Sequence, residues 1–135
     1  MKNTVTLKKN YEFSRVYKKG SFYVGRNITL YILPNRLTIN RLGISVSKKA
    51  GKAVARNRKK RLIREVYKNY EDDILFGYDI IIAARSNLEV PKYSVLLKEY
   101  KYLLKKLNMI CTSQNIDECN LYEKNIKDEN VISEQ

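Results

Sequence analysis

The chain has 135 residues, with 27 lysines and arginines against 14 aspartates and glutamates, no histidine, and a formal net charge of +13. That length fits one domain with a core of its own, and no apolar run approaches the roughly 18 residues that a membrane span needs. The charge excess points to a polyanionic partner, nucleic acid before an acidic membrane surface.

The start, MKNTVTLKKN, has no apolar run behind its charges and does not read as a secretory signal. LKKNYEFSRVYKKG predicts a short helix capped by Asn10 and ended by Gly20, with Phe13, Val16 and Tyr17 on one side. SFYVGR and NITLYILP, rich in aromatic and β-branched residues, predict two strands about a Gly25-Arg26-Asn27 turn. In the second strand Ile28, Leu30 and Ile32 alternate with Thr29, Tyr31 and Leu33. After the loop NRLTIN, RLGISVS predicts a third strand with Leu42, Ile44 and Val46 on one face.

AVARNRKKRLIREVYK opens a longer helix. Projection at the α-helical period places Ala55, Leu62, Ile63, Val66, Tyr67 and Tyr70 within one arc of about 140°. Arg56, Lys60, Arg64 and Lys68, spaced four apart, fall on the next arc, and Arg61 extends it. One side is core and the other is a basic ribbon. YDIIIAA, short and continuously apolar, predicts a strand buried on both faces. KYSVLLKEYKYLLKKLNMI predicts a closing amphipathic helix with Val95 or Leu96, Tyr100, Leu103 or Leu104 and Leu107 inward, and Lys101, Lys105 and Lys106 in water.

The order α-β-β-β-α-β-α predicts an α/β (α+β) sandwich, a small, mostly antiparallel sheet with helices packed on it and a β-α-β crossover through the basic helix. Residues 1–110 form this domain. Residues 111–135 lose apolar periodicity and gather Asp117, Glu118, Glu123, Asp128, Glu129 and Glu134 against Lys124 and Lys127, so they read as an acidic, disordered tail. Cys111 and Cys119 lie in that tail. Without histidine they cannot complete a zinc site, and a disulfide between them is disfavoured in the cytoplasm, where the chain is expected to reside.

The chemistry-bearing residues are basic and aromatic. Between Arg56 and Arg64 there is no acid, whereas solvated helix faces ordinarily mix signs, and arginine outnumbers lysine, which favours forked contacts to phosphate. Phe13 and Tyr17, one turn apart, suit either the core or, with Tyr31, a stacking surface for single-stranded nucleic acid. Glu71-Asp72-Asp73 reads as a solvated helix end rather than a metal site, because no second carboxylate cluster accompanies it. No nucleophile, general base or metal constellation emerges, so the chain does not read as a catalyst by itself.

GISVSKKAGKAVARNRKKRLIRE resembles the signature of the bacterial ribonuclease P protein family. There a strand ending in Ser-Lys-Lys leads through a short glycine-containing turn into a helix built on Ala-Val-x-Arg-Asn-Arg-x-Lys-Arg-x-x-Arg. Ser47, Lys48, Lys49, Ala53, Val54, Arg56, Asn57, Arg58, Lys60, Arg61 and Arg64 stand at those positions. LKKNYEFSRVYKKG, with aromatic Phe13 and Tyr17, and DIIIAAR extend the likeness over residues 4–108.

The resemblance implies the protein subunit of a ribonucleoprotein endonuclease. It would bind a large catalytic RNA and the 5′ leader of precursor tRNA, promoting removal of the leader to give the mature 5′ end. The chemistry would belong to the RNA and its Mg2+, with no catalytic residue, metal or cofactor in this chain and no protein partner required. Arg56, Arg58, Lys60, Arg61 and Arg64 would meet the catalytic RNA. Phe13, Tyr17 and Tyr31 would line a leader cleft with Lys48, Lys49 and Asn57 at its edge. The family also implies a left-handed crossover through the basic helix, against the usual preference. Two departures stand out: the second cleft aromatic is a tyrosine, and the acidic tail has no counterpart in the motif. The rival readings are a structural rRNA-binding protein of similar fold without a leader cleft, and a free-standing protein nuclease.

Overall fold

The computed structural model describes residues 4–86 and 90–110. In chain order these form β1 (Thr4–Thr6), α1 (Asn10–Lys19), β2 (Ser21–Val24), β3 (Ile28–Pro34), β4 (Asn40–Val46), α2 (Ala53–Tyr70), β5 (Tyr78–Ala84) and α3 (Tyr93–Lys106). Single 3-10 turns at Lys48–Ala50 and Glu71–Asp73 flank α2. Residues 111–135, expected to be a disordered tail and holding both cysteines, lie outside the described residues.

The five strands make one sheet in the order β1-β4-β5-β3-β2. β1 with β4 and β4 with β5 are parallel, whereas β5 with β3 and β3 with β2 are antiparallel. The expected mostly antiparallel sheet is therefore corrected to a mixed one. The difference is β1, three residues too short to carry a period, which add a second parallel pair against Asn40, Arg41 and Leu42. α2 joins the parallel neighbours β4 and β5, as the predicted β-α-β crossover requires.

Two helices cover one face of the sheet and one helix the other. On the first face Leu30 and Ile32 of β3, Leu42 of β4, and Ile80 and Ile82 of β5 meet Ile63, Val66 and Tyr67 of α2 and Leu96, Tyr100, Leu103 and Leu104 of α3. This is the larger core, and Leu96 rather than Val95 turns into it; Val95 is exposed. On the second face only Leu7, Val16 and Ile81 are fully buried together, with Phe13, Tyr31 and Leu33 packed around them. β5 is the central strand of the five, and it serves both layers, with Ile80 and Ile82 in the larger core and Ile81 in the smaller one.

The start of α1 differs from expectation. Lys9 is the cap and Asn10 the first helical residue, and the Glu12 carboxylate accepts the Lys9 N–H at 3.3 Å. Gly20 does end the helix, but in extended rather than left-handed backbone. Its lack of a side chain is needed for close approach: a Cβ there would lie 2.6 Å from the Val16 carbonyl oxygen and 2.7 Å from that of Ile32.

α1 is fastened to the sheet by charge. Asp79 of β5 is fully buried and accepts both arms of Arg41 from β4, at 2.7 Å each. It also accepts Arg15 from α1 and the Asn35 amide, each at 3.0 Å, while Arg41 reaches Glu12 of α1. Burial pushes the Asp79 carboxyl up, but these hydrogen bonds together outweigh it and hold the carboxyl below its ordinary value.

Candidate nucleic-acid interface

The strand registers line up three rungs on the α1 face. The lowest holds Arg41, Asp79 and Leu33, under the fastened start of α1. The middle rung is Gly43–Ile81–Tyr31–Phe22, and the upper one Ser45–Ala83–Thr29–Val24. Rings gather on the middle rung. Tyr17 of α1 meets Tyr31 edge-on with centroids 4.9 Å apart, Phe13 lies 6.4 Å from Tyr17, and Phe22 lies 5.6 Å from Tyr31. Phe13 sits on the one place in the rung that has no side chain: a Cβ on Gly43 would come within 2.7 Å of its ring.

The result is a row of four rings running from β4 to the β2 edge. Its members are not equally committed to packing. Tyr17 is 40% exposed, whereas Phe13 is half-buried against the small core of Leu7, Val16 and Ile81. Phe13 thus belongs to the smaller core, while Tyr17 keeps an exposed ring beside it. Burial, with Tyr17 beside it, raises the Tyr31 phenol above its ordinary value, so it stays protonated at neutral pH. Above the row the upper rung is small-sided and partly open, and just beyond it β4 runs into the turn carrying exposed Lys48 and Lys49. Asn57 is exposed on α2, and none of the described hydrogen bonds or ring contacts ties it to the rings.

Phe22 and Gly43 escaped the sequence reading. Phe22 could have been found from register: it pairs with Tyr31 across a short turn and shares its face. Gly43 had no local signal, since its role depends on a ring from another element.

On the opposite face of the sheet α2 carries the basic residues. Arg56, Lys60 and Arg64 follow one another at four-residue spacing. Arg58 and Arg61 instead line a shallow groove with Leu62, Glu65, Val90 and Pro91. Arg58 widens the basic arc beyond Arg61, opposite the buried stripe of Lys59, Ile63, Val66 and Tyr67. None of the five forms an ion pair with an acid among the described residues. Among the described residues the Arg56 Nε is buried without a hydrogen-bond partner, which costs free energy. Lys59, left out of the projected apolar arc, belongs to it: four residues after Ala55, it is 3% exposed, and burial lowers its ammonium pKa.

The acidic triplet is divided. Glu71 is buried and its carboxylate accepts the Thr4 hydroxyl at 2.6 Å, so it pins β1, while Asp72 and Asp73 are exposed. Among the described residues no helix is long and apolar enough to cross a membrane.

The chain is similar to known proteins in sequence and in fold. The family model described as Ribonuclease P matches residues 1–108. The ribonuclease P protein component of Natranaerobius thermophilus is 44% identical over 110 residues, covering 82% of this chain and 96% of the relative. That of Clostridium botulinum strain Loch Maree is 48% identical over 101 residues, covering 74% and 91%. The solved structure of the Staphylococcus aureus RNase P protein superposes with a TM-score of 0.71 at 38% identity, covering 78% of this chain and 96% of that one. With a match spanning the whole described domain and relatives near half identical, the chain belongs to the ribonuclease P protein family.

Proposed function

We propose that this protein is the RNA-binding subunit of a ribonuclease P ribonucleoprotein, in which it holds the catalytic RNA through α2 and the 5′ leader of precursor tRNA through the ring row. The observation that carries the reading is the pairing of two unlike surfaces on opposite faces of one sheet. Arginines and lysines without acidic partners suit the phosphates of a folded RNA. A row of partly open rings beside Lys48 and Lys49 suits splayed bases and the backbone of a single strand. A structural rRNA-binding protein would need only the first.

Bases would stack along Tyr17, Tyr31 and Phe22, with Phe13 as the wall of the cleft and the upper rung of Thr29, Ser45 and Ala83 leaving room for the sugar-phosphate chain. Lys48 and Lys49 would neutralise phosphates at the cleft's end. The bond-breaking step and its Mg2+ are assigned to the RNA. Glu12 and Asp79 beside α1 are paired with Arg41 and Arg15. The subunit's contribution is to bind and orient the leader beside that centre.

Reconstitution with the catalytic RNA of the same organism tests this. Cleavage of precursor tRNA at low magnesium should require both components, and Tyr17→Ala should weaken binding of leader-bearing substrate by about 1–3 kcal/mol. Binding of mature tRNA should be unchanged. Equal losses for leader-bearing and leaderless RNA would refute the cleft, and cleavage by the protein alone would refute the division of labour.

A further inference from the structure

The ring row ends at β2, an edge strand, and β2 carries an aromatic on each face. Phe22 points to the row, whereas its neighbour Tyr23 points to the α3 side, in register with Leu30. There Tyr23 meets Tyr102 of α3 edge-on, centroids 6.0 Å apart, and the Lys106 ammonium lies 5.4 Å over the Tyr102 ring. Both tyrosines are exposed, Tyr23 at 37% and Tyr102 at 51%. Neither is needed to fill the larger core.

The charge around this pair is one-sided. α3 also bears Lys98, Lys101 and Lys105, all exposed and without ion pairs among the described residues. Its only acid is Glu99. That carboxylate is occupied by the β2–β3 turn: it accepts the Asn27 N–H and side-chain amide and, at 2.8 Å, the Ile28 N–H. Three donors on one carboxylate leave little of its charge to oppose an incoming phosphate. Exposed rings under a lysine, beside further unpaired lysines, are the features by which a single strand is held without sequence preference.

We infer that the Tyr23–Tyr102–Lys106 patch continues the cleft around the β2 edge and holds the distal, upstream nucleotides of a long 5′ leader. The inference rests on the leader cleft proposed above and extends it. A strand leaving Phe22 meets Val24, exposed on the same face, and then the sheet ends. Turning over that edge brings the next bases onto Tyr23 and Tyr102, with Lys106 and Lys98 placed for phosphate. Specificity would come from leader length rather than sequence, since every base offers a face to stack.

The test uses the reconstituted holoenzyme and a series of precursor tRNAs whose leaders grow a few nucleotides at a time. With wild-type protein, affinity should rise in two stages, one as the cleft fills and one as the edge is passed. Tyr102→Ala should remove the second stage only, about five- to tenfold in affinity, with short-leader binding and the melting temperature unchanged. Lys106→Ala together with Lys98→Ala should flatten the salt dependence for long leaders alone. A photoreactive uridine far upstream in the leader should crosslink to Tyr23 or Tyr102. If Tyr102→Ala leaves long-leader affinity intact while Tyr17→Ala still abolishes the first stage, the edge path is wrong and the cleft stands. A loss by Tyr102→Ala that is equal for leaderless RNA would assign the patch to the catalytic RNA and also overturn the inference. Retention of both stages in Tyr17→Ala and in Tyr102→Ala alike would overturn the cleft and the edge path together.

Discussion

Gly43 shows how much of the cleft depends on a single missing side chain. Phe13 can sit against the sheet there only because β4 offers bare backbone at that rung. Gly43→Ala would place a methyl within 2.7 Å of the ring, and a ring packed against Leu7 and Val16 cannot retreat freely. The expected cost is about 1–3 kcal/mol of overpacking, read as a shift in the denaturation midpoint. Leader affinity should fall with it, because the wall of the cleft is displaced. A variant with wild-type stability and wild-type leader binding would show that Phe13 does not depend on this contact. At this scale the sequence was partly legible. Tyr17 and Tyr31 declared themselves by type and spacing, but Phe22 required the register of a sheet and Gly43 required knowledge of what crosses it. Asp79 was hidden inside YDIIIAA, where a lone acid looks like the flank of a strand rather than the anchor of three partners.

Elements were more legible than residues, because period and composition are local. β3, β5, α2 and α3 carry enough apolar residues at one period for their buried faces to be read directly. The three residues of β1 cannot, and only pairing with β4 makes them a strand. α2 lends itself to a direct measurement. If its arginines and lysines contact about five phosphates, log affinity against log salt should have a slope near −4. Arg56→Ala, Lys60→Ala and Arg64→Ala combined should flatten it while cooperative unfolding persists, since none of the three belongs to the buried core. Affinity indifferent to salt would discard the electrostatic account. α1 yields a different prediction, through its clasp. The Asp79 carboxyl titrates below its unfolded value near 4, so the native state binds its proton less readily than the unfolded chain. Stability from the clasp is therefore full above that pH and lost as pH falls through the folded value. Denaturation midpoints should drop on acidification, and the drop should be smaller in Arg15→Gln, whose weaker clasp has less to lose. Identical acid profiles for the two proteins would place the acid sensitivity elsewhere.

As a whole, the molecule keeps the ring row and the basic helix apart with the sheet between them, and the sequence adds an acidic segment at 111–135. Its charge opposes the RNA that the body attracts, so removing it should leave folding and processing intact and tighten RNA binding slightly. The cut must spare the contacts made by Met109 and Ile110. The Met109 carbonyl accepts the Leu75 N–H at 2.9 Å, and Ile110 bridges to Ile74. Truncation after Ile110 should thus retain the melting transition, whereas truncation before Met109 should lower it. A large loss of cleavage activity from the longer form would give the tail a role that its charge does not suggest.

The lopsided division of the core also has a kinetic side. α2 and α3 share the large apolar layer, while α1 is backed by Leu7, Val16 and Ile81 and a clasp of charges at one end. Elements with few buried apolar contacts open at lower free energy than the rest of a fold. Native-state hydrogen exchange should accordingly find the amides of α1 released by local opening, well before those of β5 and α3, which should need global unfolding. A bound leader would slow exchange in α1 selectively. The wall of the proposed cleft would then be its most yielding part, able to settle against strands of different sequence while the layer of α2 and α3 stays rigid.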